Sequence, residues 1–388
     1  MFDLPEGLVY LDGNSLGPLP KGVPARVAGM LGSEWGGLLI KGWNAAGWMD
    51  QPRRVGDLVG RLIGAPHGSV VMGDTLSIKV YQAVAAALKM RPERRVILSD
   101  TGNFPTDLYM VEGLIATLDA GYELRTVAPD AVADSIGEDV AAVLLTEVDY
   151  RTGRKHDMKT ITGMAHAAGA VMIWDLAHSA GALPVEIEAS GAEFAVGCTY
   201  KYINGGPGAP AFIYVRPDLA DTAEPALSGW MGHAAPFDFS PDYAPGQGIE
   251  RMRVGTPPVI QLTALEEAMK LWEDVDMTAL RAASIALQEQ FIEEVEARVP
   301  GLELASPRDP QMRGSQVSFR FDQGYAAMQA LIHHDVIGDF RAPDIMRFGF
   351  TPLYIDAADV SLAVDRMARV MQERLWDDPR FSSRQRVT

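Results

Sequence analysis

Short apolar runs of strand length alternate with segments of helix length through the middle of this chain. The runs are rich in aliphatic and β-branched residues, and they lie at 95–100, 141–146, 170–175, 194–201 and 211–215. Helices are predicted between the earlier runs, because capping residues and helical periodicity mark segments that begin near Asp74 and Pro105 and one that ends at Gly169. This alternation is typical of a largely parallel sheet covered by helices on both faces. Ligands of such sheets collect beyond the carboxyl ends of the strands, so polar residues there are the first candidates for a functional site.

The last third of the chain has a different pattern. Two long helices are predicted at about 259–273 and 277–298, followed by a mixture of short strands and helices. The paired prolines Pro257 and Pro258 mark the change, since proline interrupts both helix and strand. The predicted divisions are an irregular arm rich in Gly, Pro and Trp at 1–50, a large α/β domain at 51–255 and a smaller α+β domain at 256–388.

Charge and cysteine content exclude several classes of protein. The chain has 34 Lys and Arg against 51 Asp and Glu, a net charge of −17, and such an acidic surface repels the phosphates of nucleic acid. The one cysteine, Cys198, permits no internal disulfide and fits a reducing compartment. The first residues show no secretory signal pattern, no apolar run approaches the roughly 20 residues of a membrane span, and the histidines lack metal-site spacing. We predict a soluble cytoplasmic protein with no metal, nucleic-acid partner or membrane anchor.

Two of the apolar runs close on charged residues. Asp175 ends the run Ala170–Trp174, and Lys201 ends the next run, just before the glycine-rich segment Asn204–Gly208. In enzymes that use pyridoxal 5′-phosphate (PLP), a lysine holds the cofactor as a Schiff base and an acid keeps the ring nitrogen protonated. A strand-end aspartate followed by a strand-end lysine therefore predicts a PLP site.

The other parts of a PLP pocket have candidates that are weak one by one. A helix that begins at Asp74 or Thr75 offers free backbone N–H groups and a positive dipole end to a phosphate. Phe104 has the right side chain to stack on the ring, and it is also compatible with an ordinary core position. Asp107 lies in the first turn of the next predicted helix, where a carboxylate suits the helix dipole in any protein.

Two residues beside the aspartate and the lysine have alternative roles. His178 suits a hydrogen bond to the cofactor and equally one to a buried backbone group. Tyr200 has a phenol that suits phosphate binding or acid–base catalysis, and as a β-favouring aromatic it also suits outward packing. Sequence spacing leaves both alternatives open.

With these residues in place, the chain resembles the kynureninase family of fold-type-I PLP hydrolases over nearly its whole length. Each motif is short, but they occur in the family's order and with family-like gaps. The matching segments are Leu11–Pro18, Phe104–Asp107 (Phe-Pro-Thr-Asp), Asp175–His178 (Asp-Leu-Ala-His), Tyr200–Lys201, Gly229–Gly232 and Thr256–Pro258.

The resemblance implies a PLP-dependent hydrolysis of L-kynurenine, or of its 3-hydroxy form, to anthranilate (or 3-hydroxyanthranilate) and L-alanine. In it, Lys201 carries the cofactor and moves the α-proton, and Tyr200 carries a proton at the reaction centre. The cofactor contacts that it implies within one chain are Thr75, Leu76, Phe104, Pro105, Thr106, Asp107, Thr146, Asp175, His178, Tyr200 and Lys201.

The resemblance also implies a homodimer with shared active sites. Trp230 and Thr256 are similar to residues that complete the cofactor site from the neighbouring subunit. Arg347 resembles the arginine that binds the substrate α-carboxylate, a task that suits the guanidinium fork. Trp43 is a candidate wall for the substrate's aromatic ring, and a plain core position is its alternative.

Two other kinds of protein remain to be separated by experiment. An aminotransferase or cysteine desulfurase of the same fold would carry the same lysine and aspartate. A desulfurase needs a mobile catalytic cysteine, which the expected burial of Cys198 argues against. A catalytically silent binding protein would leave the lysine, aspartate and arginine positions without a use.

Overall fold

The computed structural model describes residues 1–299 and 301–383. Its longer α-helices are Val23–Gly29, Gln51–Leu62, Leu76–Met90, Pro105–Leu118, Met158–Ala167, Val259–Met269, Met277–Arg298, Gly324–His333 and Ala357–Gln372. Its strands of three residues or more are Val70–Met72, Val96–Asp100, Glu123–Val127, Val140–Thr146, Val171–Asp175, Phe194–Gly197, Phe212–Val215, Gln316–Arg320, Asp339–Arg341 and Ile345–Gly349. No helix of the described residues has the length and apolarity needed to cross a membrane.

The first seven of those strands form one sheet. In spatial order they are Val70–Met72, Phe212–Val215, Phe194–Gly197, Val171–Asp175, Val140–Thr146, Val96–Asp100 and Glu123–Val127. Only Phe212–Val215 runs against its neighbours, so the predicted, mainly parallel sheet is confirmed. The register sets Thr146 beside Asp175, and this brings two predicted site residues to one edge of the sheet.

Helices cover both faces of this sheet, as the alternation predicts. The helices Gln51–Leu62, Met158–Ala167 and Val259–Met269 bury their apolar residues on one face. Leu76–Met90 and Pro105–Leu118 pack on the other. Alanines and valines dominate the buried side of Leu76–Met90, and such small side chains let the helix lie close to the sheet.

A second sheet is the centre of the smaller domain. Its strands are antiparallel, in the order Asp339–Arg341, Ile345–Gly349, Gln316–Arg320 and Glu303–Leu304. Side chains alternate between faces. Phe340, Met346 and Phe348 therefore enter the apolar core beneath three helices, whereas the polar residues between them face the other way. A two-residue parallel pairing of Val9–Tyr10 with Val336–Ile337 ties the start of the chain to this domain.

The prediction of an irregular arm at 1–50 is wrong for residues 23–45, which are helical. The chain is helical at Val23–Gly29, and helical turns continue through most of 30–45. Tertiary packing against the helix Val259–Met269 overrides the low helix propensity of the glycines there. A second correction concerns Lys201, because the strand that leads to it ends at Gly197 and the lysine lies in the turn that follows.

The predicted seam between residues 255 and 256 stays a prediction. Leu262 and Leu265 pack in the core of the large sheet, whereas Leu287 and later apolar residues pack in the core of the small one. We therefore propose that the helix Val259–Met269 belongs to the large domain. The last part of the predicted small domain, 384–388, lies outside the described residues.

Candidate active site

The amino group of Lys201 lies at the centre of the predicted cluster, beyond the carboxyl ends of the central strands. Its Nζ is 2.9 Å from Nε2 of His178. The same Nζ lies 5.9 Å from the centre of the Phe104 ring and 5.8 Å from that of Tyr200. The fold thus brings together four residues that are separated by up to about a hundred positions in sequence.

The imidazole of His178 is buried and neutral. Burial, and then the cations of Lys201, Arg347 and Arg341, hold the pKa of His178 well below its usual value. A lysine ammonium has donors only, so it donates to Nε2, and the ring proton resides on Nδ1. Nδ1 has no hydrogen-bond partner among the described residues. Since buried polar atoms are rarely left without one, this N–H is available to a bound molecule.

Two buried carboxyl groups lie beside the lysine. Burial raises the pKa of Asp175 to about 6, although Lys201 and the N–H of Ala177 oppose the shift. Burial and the charge of Asp175 raise the pKa of Asp107 well above its usual value, and its Oδ2 has no partner among the described residues. A pair of buried acids with little neutralisation is suited to receive a cationic group.

The turn between the strand Val70–Met72 and the helix Leu76–Met90 has the geometry of an anion cradle. Gly73 has a φ of +154° and Asp74 a φ of +57°, so the chain reverses sharply before the helix begins. Thr75 is the N-cap in an extended conformation, and its side chain makes no capping hydrogen bond. The hydroxyl and the first backbone N–H groups of the helix are therefore free for a phosphate.

A buried lysine that is not among the predicted site residues, Lys79, supports this turn. Nζ of Lys79 donates to Oδ2 of Asp74 at 3.3 Å, to Oε1 of Gln82 at 2.9 Å and to the carbonyl of Met252 at 3.0 Å. Burial lowers the pKa of Lys79. The sequence offers one signal for this contact: Lys79 falls on the buried side of an alanine-rich helix, where a lysine needs a polar partner inside the core.

Phe104 is not a core residue, because 39% of it is exposed. Its backbone is held by a buried network, in which Oδ1 of Asn103 accepts from the Phe104 N–H at 2.7 Å and Nδ2 of Asn103 donates to Ser99 at 2.9 Å. Tyr150 packs edge-on against the Phe104 ring at 5.2 Å. A fixed, exposed aromatic face beside Lys201 is suited to cover a planar ring.

These features fit PLP. The cradle at Thr75 and Leu76 suits its phosphate, the face of Phe104 suits its ring, and the two buried acids suit a protonated ring nitrogen. The unpartnered atoms of Asp107 and His178 suit its polar substituents. Pro105 and Thr106 form the first turn of the helix that follows Phe104, and buried Thr146 lies next to Asp175 in the sheet register, so the structure brings these predicted contacts to the same region.

Tyr200 faces the same space. Its neighbour Cys198 and burial raise the pKa of the phenol above its usual value, so the hydroxyl remains protonated at neutral pH. Cys198 is itself buried, and burial raises the pKa of its thiol. A buried thiol of this kind is a poor nucleophile, which disfavours the desulfurase alternative.

Arg347 lies on the polar face of the small sheet, directly opposite Asp339 in the strand register. Its Nε donates to Oδ1 of Asp339 at 2.6 Å, and Nη2 donates to Oδ2 of the same carboxylate and to Ser15 at 3.0 Å. Nη1 donates to the carbonyl of Tyr150. Asp339, Tyr150 and the neighbouring Arg341 are not among the residues predicted from the sequence, and Ser15 was named there only as part of the segment Leu11–Pro18.

The structure does not bring three of the predicted residues to Lys201 of the same chain. Trp230 is 43% exposed and packs edge-on against Phe237, while Thr256 is exposed beside the turn at Asp74. Trp43 packs edge-on against Trp48 at 5.6 Å. The roles predicted for Trp230, Thr256 and Trp43 stay predictions.

Glu147, which follows Thr146, is a buried acid that gives a testable pH dependence. It is 5% exposed, and burial raises the pKa of Glu147 from 4.5 to about 7. The native state therefore keeps a proton that the unfolded chain releases above pH 4.5, so this carboxyl's contribution to stability is present at low pH and is lost as the pH rises through 7.

We expect Glu147→Gln to gain stability over the unaltered protein, by on the order of 2–3 kcal/mol, as the pH rises from about 5 to about 8. Urea unfolding of the cofactor-free proteins at both pH values measures the difference. Glu303→Gln, at an exposed position, is the matched control and should show no such change. A pH-independent difference for Glu147→Gln would contradict the assigned protonation.

Comparison with solved structures agrees with the fold described above. The structure is similar to an apo cysteine desulfurase from Thermococcus onnurineus, with a TM-score of 0.79 and 18% identity over 96% of this chain and all of that one. It is also similar to a cysteine desulfurase from Escherichia coli, with a TM-score of 0.78 and 19% identity over 95% of this chain and 96% of that one. At such identity the likeness concerns the fold alone.

Sequence comparison identifies the family. The family model for the kynureninase C-terminal domain matches residues 280–367. The kynureninase of Pseudomonas fluorescens is 48% identical over all of this chain and 95% of its own length, and that of Burkholderia pseudomallei is 47% identical over the same shares. With such identity over the full chain, this protein belongs to the kynureninase family.

Proposed function

We propose that this protein hydrolyses L-kynurenine to anthranilate and L-alanine, with PLP as its cofactor. The observation that carries the proposal is the position of Lys201, whose amino group lies beside a neutral imidazole, an exposed aromatic face and two buried acids. Full-length similarity to kynureninases supports the choice of substrate. When bound, PLP supplies the electron sink that makes a proton on the substrate's α-carbon removable.

Lys201 is the residue that we expect to move this proton. Its Nζ lies 5.9 Å from the centre of the Phe104 ring and donates a hydrogen bond to Nε2 of His178 at 2.9 Å. Because the imidazole is neutral and its Nε2 faces the amine, it orients Nζ and leaves Nδ1–H for a second contact. Asp175, whose pKa of about 6 leaves it largely ionised at neutral pH, supplies negative charge that keeps a ring nitrogen protonated.

Tyr200 is our candidate for the proton transfer that is particular to this hydrolysis. Water adds to the substrate's γ-carbonyl, the Cβ–Cγ bond breaks with its electron pair passing to Cβ, and Cβ then takes a proton. The carbonyl carbon becomes the carboxyl of anthranilate, and the remaining three carbons become alanine. A phenol that is protonated at neutral pH can donate its proton to the carbonyl oxygen and take a proton back in a later step.

Tyr200→Phe tests this role. We expect turnover to fall about 10²- to 10⁴-fold, because one positioned acid–base group is lost, while cofactor binding is retained. Steady-state kinetics and the absorbance of the bound cofactor measure the two properties separately. Tyr214→Phe, a substitution that also removes a phenol from the large sheet, is the control. Unchanged turnover in Tyr200→Phe would remove this residue from the chemistry.

We further propose that the protein works as a cytoplasmic homodimer. Trp230, Phe237 and Phe239 form an exposed chain of edge-on aromatic contacts, with 43%, 58% and 77% exposure. A patch of this kind supports contact with a second copy, in which Trp230 and Thr256 reach the neighbouring site. Sedimentation of the purified protein measures the oligomeric state, and a monomer with full activity would contradict shared sites.

Incubation with L-kynurenine tests the function as a whole. We expect fluorescent anthranilate to form in water alone, with no increase on addition of a keto acid. Dependence on the keto acid would instead indicate an aminotransferase. Absence of anthranilate from a protein that has taken up PLP would overturn the proposal. Parallel kinetics with L-3-hydroxykynurenine determine which substrate is preferred.

A further inference from the structure

The guanidinium of Arg347 is almost fully engaged within the protein. It has five N–H donors, and the carboxylate of Asp339 takes two of them, Ser15 one and the carbonyl of Tyr150 another. The side chain is only 2% exposed. A bidentate grip on a carboxylate needs two parallel N–H groups. Arg347 therefore cannot form such a grip without releasing a contact that it already makes.

Arg341 lies beside it on the same face of the sheet. It is two residues from Asp339 along one strand, and its Nη2 is 2.8 Å from Oδ2 of that carboxylate. Nη2 also donates to the hydroxyl of Ser15 at 3.4 Å, and Nη1 donates to the carbonyl of Phe340 at 2.8 Å. Nε finds no acceptor among the described residues. With 34% of its side chain exposed, Arg341 presents more of its surface than Arg347 does.

The charge of this cluster favours an anion. Although burial opposes it, Arg347 holds the pKa of Asp339 below its usual value, so one carboxylate faces two guanidinium groups. A second acid, Asp12, lies close by, but burial and Asp339 raise the pKa of Asp12 to about 7. Asp12 is therefore neutral in a large fraction of molecules at neutral pH. In the molecules whose Asp12 is protonated, the two guanidinium groups and the Asp339 carboxylate leave one positive charge in excess, which matches a single carboxylate.

The cluster borders the space in front of Lys201. Tyr150, whose carbonyl accepts from Arg347, packs on Phe104, and Phe104 in turn faces Nζ of Lys201. Both arginines also act electrostatically on His178. Since His178 contacts Lys201, the cluster lies on the side of the lysine where an amino-acid substrate would place its carboxylate in our proposal.

We propose that Arg341 is a second substrate-binding residue, which contacts the α-carboxylate together with Arg347 while Asp339 holds both guanidinium groups in place. Arg341 has two N–H groups without an acceptor among the described residues, one on Nε and one on Nη1, whereas Arg347 has one. Arg341 thus supplies free donors, and Arg347 supplies charge and a fixed position. The proposal rests on the proposed function for the choice of substrate, but the recognised chemistry is that of any α-amino carboxylate.

Arg341→Gln tests this with two ligands, L-kynurenine and its decarboxylated analogue, which has hydrogen in place of the carboxylate. We expect KM for L-kynurenine to rise about 10- to 100-fold, since a charge-assisted contact is lost, with kcat changed by less than about threefold. Inhibition by the analogue should change by less than about twofold. Arg341→Lys, which keeps the charge but not the fork, should give an intermediate KM. Arg320→Gln, at an exposed position of the same sheet, is the control.

An equal loss of affinity for both ligands would show that Arg341 only supports the fold, and an unchanged KM would place the carboxylate elsewhere. Either result would overturn the proposal. The shift in Tm on addition of each ligand gives the same comparison without turnover. A failure of the proposed function would appear separately, as no anthranilate from the unaltered protein. If Arg341→Gln does not fold, Arg341→Lys provides the same comparison of ligands.

Discussion

Lys201→Ala should abolish the visible absorbance that PLP acquires on covalent attachment and should lower turnover by about 10⁴-fold or more. The substitution removes the covalent anchor of the cofactor and the group that we expect to carry the α-proton, and a positioned acid–base group alone contributes about 10²- to 10⁴-fold. It also leaves Nε2 of His178 without its partner at 2.9 Å. Absorbance spectra of the protein mixed with PLP, and single-turnover kinetics, measure the two effects.

Lys89→Ala is the matched control for this experiment. Lys89 lies on the helix Leu76–Met90, its side chain is 54% exposed, and its ion pair with Glu224 is on the surface. Such a pair contributes little to stability, so spectrum and turnover should match those of the unaltered protein. A persistent covalent absorbance band in Lys201→Ala would mean that another amine holds the cofactor, and it would contradict the assignment of Lys201.

Asp175→Asn should lower turnover without lowering the stability of the cofactor-free protein above pH 6. In the PLP-loaded protein, replacing the Asp175 carboxylate would leave the protonated ring nitrogen of the cofactor without its counter-charge, at a cost of about 3–5 kcal/mol. At about 1.4 kcal/mol per factor of ten, this predicts a loss of turnover of about 10²- to 4 × 10³-fold and weaker retention of PLP. The cofactor-free variant should be at least as stable as the unaltered protein above pH 6, because the burial that raises the pKa of Asp175 to about 6 no longer acts on a charge.

Thermal unfolding of the cofactor-free proteins, and kinetics of the PLP-loaded ones, measure both parts of this prediction. Asp218→Asn is a suitable control, since Asp218 is an exposed acid of the same domain that pairs with Arg216 on the surface. Full activity of Asp175→Asn would show that its charge is not used at the cofactor. A large loss of stability at every pH would show instead that Asp175 is a structural residue.

The parts of the site that lie close to strand ends could be predicted from the sequence. Asp175 and Lys201 follow neighbouring strands, and parallel topology brings such ends to one edge whatever the details of packing. Thr146 joins them because its strand is next in the sheet. The main error here was local, since the strand before Lys201 stops at Gly197 and a turn completes the approach.

Arg347 was predicted from the resemblance, but its partners Asp339, Ser15 and Arg341 could not be predicted in the same way. Ser15 and Asp339 are separated by 324 positions, and their contact depends on how the start of the chain packs on the small domain. Nothing in the sequence distinguishes Arg341 from the other arginines. Only the strand register places it beside Asp339 and near Arg347. The helix at Val23–Gly29 was missed for a related reason, because a distant helix stabilises it rather than its own composition.

The contact between Arg347 and the carbonyl of Tyr150 joins two parts of the chain that leave the ribosome at different times. The residues predicted to hold the cofactor in one chain, Thr75 to Lys201, all leave the ribosome well before Arg347. Domains generally fold as units during synthesis, with the earlier one first. The large domain can therefore arrange the residues proposed to hold PLP on a nascent chain, while the cluster of Arg341, Arg347 and Asp339 forms only after strands about 150 residues further on are made. A chain stalled before Asp339 would thus be expected to take up PLP without selecting an amino acid.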